Sequence, residues 1–153
     1  MKHCIRILTV LFLCACSSRE NNTVINDTVV TKEFVGPASG YSQAVVTTYN
    51  GLKTIHISGQ LGEGDDLATQ MKGALKNIER ILLENGASFD DIVKMNYYIV
   101  DYKPEDLEVF RSTRKEVMGD ENMPASTLVG VTSLFASEYI IEIDAIAITR
   151  VTL

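Results

Sequence analysis

Acidic side chains that could take part in acid–base chemistry stand in the last strongly apolar segment of the chain. In Tyr139–Val151 (YIIEIDAIAITRV), apolar and acidic residues alternate, so Glu142 and Asp144 fall on one face of a predicted strand. A carboxylate there can transfer protons near neutral pH if its surroundings raise its pKa. The alternative is an ordinary exposed or ion-paired acid, and the residue types alone leave both open.

Metal and thiol chemistry lack the necessary residues. The three cysteines are Cys4, Cys14 and Cys16, all near the N-terminus, and the two histidines are His3 and His56. A zinc site normally needs three or four clustered ligands, so no metal site is expected. A lone strand histidine such as His56 is more typical of a packed or surface residue than of a catalyst.

The charge of the chain argues against nucleic-acid binding. Lys and Arg number 14 against 20 Asp and Glu, which gives a formal net charge of −6. Binding a polyphosphate requires clustered cations, and no basic cluster is visible. We therefore expect no nucleic-acid partner.

The first sixteen residues are typical of an export signal. Lys2 and Arg6 precede the short apolar run 7–13 (ILTVLFL), which is too short for a permanent membrane span. The run ends in Leu-Cys-Ala-Cys, which resembles a bacterial lipobox whose lipidated cysteine would be Cys16. The alternatives are an uncleaved anchor or an ordinary secretory peptide.

A lipid on Cys16 would anchor an otherwise soluble protein in the cell envelope. Residues 17–30 are then a flexible tether and residues 31–153 the folded domain. Ser17 is not the aspartate of an inner-membrane retention signal, so the outer membrane or periplasm is the expected location.

The domain has the periodicities of one α+β unit. Asn50-Gly51 is a strong hairpin signal between two β-branched segments. Helices are predicted where apolar residues recur at three- and four-residue steps, and strands where β-branched residues dominate. The predicted elements are strands at 44–49, 53–58, 92–100, 126–132 and 139–151, and helices at 66–84 and 105–118.

Residues 145–148 of the last strand are apolar on both faces, so both faces need cover. Two helices can cover only one face of a sheet. The chain has no residues left for another layer, and we therefore predict self-association through the sheet.

Five segments, in order, resemble the Rid family of reactive-intermediate (enamine and imine) deaminases. The resemblance covers about residues 34–150. The segments are Gly40–Val45 (GYSQAV), Ile57–Gln60 (ISGQ), Asn85–Lys94 (NGASFDDIVK), Pro124-Ala125 and Ile141–Ala147 (IEIDAIA).

The resemblance implies a chorismate-mutase-like α+β fold with a mixed sheet and two helices on one face. It also implies a homotrimer, whose three sheets form a central barrel with ligand sites in clefts between subunits. The typical family activity is hydrolysis of 2-imino or enamine acids to keto acids and ammonia, without a cofactor.

The resemblance assigns roles to particular residues. Glu142 matches the glutamate that positions the attacking water, and Asp144 replaces a second, structural glutamate. Tyr41 and Ser58 match positions that line the cleft. Gly59 is expected to provide a bulge or a close backbone approach.

The chain departs from the family where an arginine should hold the substrate carboxylate. Ser126 stands at that position, and its single neutral hydroxyl cannot form a charge-assisted fork. Leu128 makes the cleft less polar. The helix at 105–118 offers two possible substitute cations, Arg111 and Arg114. Alignment of its apolar stripe with the family pattern favours Arg111, in a register that needs about two extra residues in the preceding loop; otherwise Arg111 is a solvated helix charge.

Two functions therefore stay open. One is a Rid-type enzyme with altered substrate choice, favoured by Glu142 and Tyr41. The other is a non-catalytic trimer that binds a small molecule in the same clefts, favoured by Ser126 and Leu128.

Overall fold

The computed structural model describes residues 29–151. The predicted signal segment, the lipidation site Cys16 and nearly all of the predicted tether lie outside these residues. Among the residues described, no helix is long and apolar enough to cross a membrane. The elements are β1 (Thr31–Ala38), β2 (Tyr41–Tyr49), β3 (Leu52–Gln60), α1 (Leu67–Glu84), a 3₁₀ turn (Phe89–Asp91), β4 (Ile92–Val100), α2 (Asp106–Met118), β5 (Ala125–Val131) and β6 (Ile141–Arg150).

The six strands form one mixed sheet in the order β1-β2-β3-β6-β4-β5. All neighbouring strands are antiparallel except β4 and β5, which are parallel and are connected through α2. The last strand, β6, therefore lies in the middle of the sheet. This α+β architecture with a mixed sheet confirms the predicted fold class.

Short-range sequence signals are found at the β2–β3 turn and at both ends of α1. Asn50 and Gly51, at the β2–β3 turn, have φ values of 49° and 74°, as a tight hairpin turn requires. Asp66 caps α1 by accepting a hydrogen bond from the Thr69 backbone N–H at 2.8 Å. Gly86 follows the helix at φ 74°, in the left-handed region that favours glycine.

Both helices cover the same face of the sheet. Alternate β6 residues, including Ile141 and Ile143, point into a core with the apolar stripe of α1. Phe110 of α2 meets Tyr97 of β4 edge to face, with ring centroids 4.8 Å apart. The helix-covered face is therefore buried within one chain over β3, β6 and β4, but not at the edge strand β5, where Ser126 is exposed.

The sequence analysis does not predict β1. Seven of its eight residues are exposed, and only Val35 is partly buried. The strand lies at the sheet edge, and Gly36, at φ 54°, and Pro37 interrupt it, so it shows no burial alternation. It pairs with β2 as a hairpin, with Ala38 opposite Tyr41, but an exposed strand without alternation gives no pattern from which to predict it.

The opposite face of the sheet is left uncovered by the described residues. Ile146 and Ile148 of β6 lie on it beside His56 and Thr54 of β3, and Ile148 is 43% exposed. Burial of these apolar side chains against a second copy would stabilise an assembly by roughly 25 cal/mol per Å² of apolar surface removed from water. The predicted need for a second covering layer thus applies to this open face.

We expect the domain to self-associate through the open face. Ile148→Glu should dissociate the assembly, because it places a charge in the apolar contact. Leu83→Glu, on α1 and 64% exposed, is the matched control and should leave the assembly intact. Size-exclusion chromatography with light scattering measures both. A monomeric wild-type domain would contradict this prediction.

Candidate functional site

Glu142 sits where β3 is irregular. The pairing of β3 with β6 shifts register between Ile57 and Gln60, and Gly59 lies within that shift. A Cβ atom at Gly59 would overlap the Glu142 carboxylate. Only glycine lets the carboxylate lie this close to the β3 backbone, so the bulge or close approach expected of Gly59 is observed.

Burial disturbs the ionisation of Glu142. The side chain is partly buried, and desolvation raises the pKa of its carboxyl group above the ordinary value. The negative charge of Asp144 raises it further. No hydrogen bond between residues 29 and 151 ends on the Glu142 carboxylate, whose oxygens therefore stay available to a water or a ligand.

Asp144 has a different environment from Glu142. Asn96 Nδ2 donates to one Asp144 oxygen at 2.8 Å, and the Tyr98 hydroxyl donates to the other at 2.9 Å. The bond to Asp144 raises the pKa of Tyr98. Of the two carboxylates on this face, Asp144 therefore accepts hydrogen bonds from two neighbours, whereas Glu142 accepts none from residues 29–151.

A chain of polar side chains connects the other residues on this face. The buried Gln60 donates to Gln43 Oε1 at 3.0 Å and to the Ser58 carbonyl at 2.9 Å, and Gln43 donates to the Tyr41 hydroxyl at 3.2 Å. The Ser58 hydroxyl donates to the Ser42 carbonyl at 2.7 Å. Tyr41 is 56% exposed.

Sequence reasoning did not single out the two glutamines of this chain. The available signal was a glutamine in each of the two quoted segments GYSQ and ISGQ. Gln43 and Gln60 connect Tyr41 to the β3 backbone beside Ser58. They therefore fix the position of the Tyr41 hydroxyl relative to the register shift.

An open concavity of about 450 Å³ adjoins Glu142. Phe135 stands at its rim and is 77% exposed, an unusual state for a large apolar side chain. The volume suits a small molecule. The concavity is lined by Tyr98, Val131, Ser133, Leu134, Phe135, Glu142 and Asp144.

The other predicted site residues lie on the opposite side of the sheet. Ser126 pairs in register with Met95, whose side chain is in the helix-covered core. Arg111 is exposed on α2. Within one chain the sheet therefore separates Ser126 and Arg111 from Glu142.

No group of three His, Cys, Asp or Glu side chains between residues 29 and 151 is arranged to hold a metal ion. His56 is exposed on the open face of β3. The chemistry available at this site is therefore that of carboxylate, hydroxyl and amide groups.

Comparison with known proteins agrees with this fold. The model of the family described as endoribonuclease L-PSP matches residues 31–149. A RutC family protein from Pyrococcus abyssi is 32% identical over 129 residues, which cover 79% of this chain and 95% of that protein. The 2-iminobutanoate/2-iminopropanoate deaminase of Homo sapiens is 30% identical over 135 residues, 83% of this chain and 93% of that protein.

A solved structure has the same architecture. A protein of the conserved Rid family from Yersinia pestis superposes with a TM-score of 0.65 at 25% identity, covering 76% of this chain and 98% of that chain. The chain therefore belongs to the endoribonuclease L-PSP family, and its predicted place among Rid proteins is confirmed.

The raised pKa of Glu142 makes stability depend on pH. The folded protein binds a proton at Glu142 more tightly than the unfolded chain does. The tighter proton binding stabilises the folded protein fully below the ordinary glutamate pKa of about 4.3. This stabilisation is lost as the pH rises through the raised pKa of Glu142 in the folded protein. Glu142→Gln should therefore raise the melting temperature at about pH 7.5, and the gain should disappear near pH 4.

Thermal melts of the wild type, Glu142→Gln and the control Glu138→Gln across this pH range measure the effect. Glu138 is exposed just before β6, and its replacement should change little. A gain for Glu142→Gln that is equal at both pH values would show that the effect is not electrostatic.

Proposed function

We propose that this protein hydrolyses small imines or enamines to carbonyl compounds and ammonia, with Glu142 as the proton-transfer group. The observation that carries this proposal is the Glu142 carboxylate itself. It lies against the β3 backbone at Gly59, its pKa is raised, and no hydrogen bond within residues 29–151 occupies it. A carboxylate in this state is suited to accept and return a proton near neutral pH.

The reaction starts from the protonated imine and proceeds through successive proton transfers. Glu142 accepts a proton from water as the water oxygen adds to the imine carbon, which forms a neutral carbinolamine, and then returns that proton to the nitrogen. As the C–N bond breaks and ammonia leaves, Glu142 accepts the hydroxyl proton, so that the carbonyl product forms, and passes that proton to ammonia. Tyr41 and Ser58 supply hydroxyls on the same face. The deaminase named among the relatives supports this class of substrate.

The site is proposed to form between copies of the chain, arranged as the homotrimer that the resemblance implies. Two observations support this arrangement. The open face is apolar and uncovered, and Ser126 lies across the sheet from Glu142. No cofactor enters the proposed reaction.

RNA cleavage, suggested by the name of the matching family model, is less well supported. The net charge of −6 opposes binding of a polyphosphate, and Glu142 lies beside a second acid, Asp144.

We expect the wild type to accelerate decay of 2-iminobutyrate generated in situ by an amino-acid oxidase. Glu142→Gln should slow the catalysed decay by roughly 10²- to 10⁴-fold, because the amide cannot transfer the proton. Glu138→Gln is the matched control and should retain the wild-type rate. A Glu142→Gln protein that matches the wild type would overturn the proposed role.

The second candidate function is a non-catalytic binding trimer with the same fold. Ser126 favours it, because a serine hydroxyl cannot form the two charge-assisted bonds that hold a carboxylate. Ser126→Arg in the same assay separates the two functions. Acceleration by Ser126→Arg but not by the wild type would favour the binding protein; acceleration by the wild type would exclude it.

The N-terminal sequence supports a lipid anchor at Cys16 and a location in the cell envelope. In a bacterial host, the wild type should incorporate labelled palmitate and fractionate with membranes. Cys16→Ser should incorporate none, because the acyl acceptor is lost, whereas Cys14→Ser should be labelled normally. Labelling of Cys16→Ser would contradict the anchor.

A further inference from the structure

Arg114 is a cation that the described part of the chain leaves unpaired. Its Nε is buried and donates no hydrogen bond, and no ion pair among residues 29–151 includes it. Its guanidinium carbon lies 5.6 Å from the centroid of the Phe110 ring. A partly buried guanidinium without acceptors is costly, and one aromatic ring compensates only in part. Such a group is suited to receive an anion.

The position of Arg114 on α2 shows which way it faces. Glu116 of the same helix pairs with Lys72 of α1 at 2.7 Å, which identifies the side of α2 that faces α1. Two residues turn an α-helix by about 200°. Arg114 therefore faces away from α1, toward the flank where β5 forms the sheet edge.

Phe110 shows more closely where the guanidinium lies. The Arg114 guanidinium carbon is 5.6 Å from the Phe110 ring centroid, and that ring packs on Tyr97 of β4 with a centroid distance of 4.8 Å. The Tyr97 hydroxyl donates to Met95 Sδ at 3.1 Å. In the parallel pairing of β4 with β5, Tyr97 is opposite Leu128 and Met95 is opposite Ser126.

The guanidinium thus lies on the helix side of the sheet, above the part of β4 that pairs with β5 at Ser126 and Leu128. This is the position where the resemblance expects an arginine and the chain has a serine. A cation supplied by α2 can reach the same region from the neighbouring element, and the exposed Ser126 side chain can add a neutral donor.

We propose that Arg114 is the anion-binding residue of the site and that the substrate is a small imine carrying a carboxylate. The chemical identity of this substrate rests on the proposed imine hydrolysis; the anion site itself does not. Arg114 and Glu142 are on opposite faces of one sheet, so each complete site takes Arg114 from one copy and Glu142 from another.

The direct test is binding of 2-oxobutyrate, a carboxylate product, to the full chain by titration calorimetry, beside the neutral 2-oxobutanamide. Arg114→Gln should weaken 2-oxobutyrate binding on the order of 10- to 100-fold, as expected for the loss of a charge-assisted hydrogen bond, and should leave the amide unaffected. Arg114→Lys should retain part of the affinity. Arg80→Gln, a helix arginine paired with Glu84, is the control.

Three results would overturn the proposal. The first is that Arg114→Gln binds 2-oxobutyrate as tightly as the wild type does. The second is that Arg114→Gln loses affinity for 2-oxobutyrate and 2-oxobutanamide equally, which would indicate a structural role. The third is that the wild type binds neither ligand. Arg111→Gln tests the earlier sequence-based choice, and a loss there without one at Arg114 also counts against the proposal.

The binding assay and the imine assay test the anion site and the proposed hydrolysis separately. Anion binding that depends on Arg114, in a protein that does not hydrolyse imines, retains the anion site and removes the proposed hydrolysis. Imine hydrolysis that depends on Glu142, with binding unchanged in Arg114→Gln, removes only the anion site.

Mixed assemblies test the sharing of the site. When Arg114→Gln and Glu142→Gln chains are coexpressed in equal amounts, about one quarter of the sites should combine an intact Arg114 with an intact Glu142. Activity at low 2-iminobutyrate should then recover to about that fraction of the wild type. No recovery above either variant alone would mean that both residues act within one chain.

Discussion

The packing of two helices against one face only of a six-stranded sheet is the constraint on which the rest of this structure depends. It seals one set of β6 side chains in the core and leaves the alternate set, from Glu142 to Ile148, without cover in a single chain. The uncovered set combines apolar side chains that favour association with a carboxylate whose pKa burial already raises. The surface predicted to self-associate is therefore the surface that carries Glu142.

The two acids of β6 have different contacts and therefore different environments. They are two residues apart and on one face, but Asp144 is held by Asn96 and Tyr98, whereas Glu142 lies against a backbone that has no side chain at Gly59. Removing hydrogen bonds and solvent from a carboxylate favours its neutral form. The glycine in β3 is thus as important to the environment of Glu142 as any polar neighbour.

The two arginines of α2 differ in their surroundings. Arg114 has a buried Nε that donates no hydrogen bond within residues 29–151. Arg111, three residues earlier on the same helix, is exposed, whereas Arg114 is partly buried. Three residues advance an α-helix by about 300°, so the two side chains are neighbours that point about 60° apart.

Local signals were enough to predict much of the fold. The Asn50-Gly51 turn, the Asp66 cap and the helical stripes are short-range effects, and the structure has them at or within a few residues of the predicted positions. The edge strand β1 was missed because it is almost wholly exposed, and an exposed strand shows no alternation to read. Gln43 and Gln60 were missed because their importance lies in a contact between strands.

The sequence by itself determined the class of domain and its family, and it predicts that Glu142 is the acid for any proton transfer. Only the tertiary structure decided that Glu142 and Ser126 are on opposite faces of the sheet, and that Arg114 packs over Phe110 with a buried Nε whereas Arg111 is exposed. The reason is physical: periodicity reports which residues share a face of one element. The direction in which that face points depends on how the helices pack on the sheet.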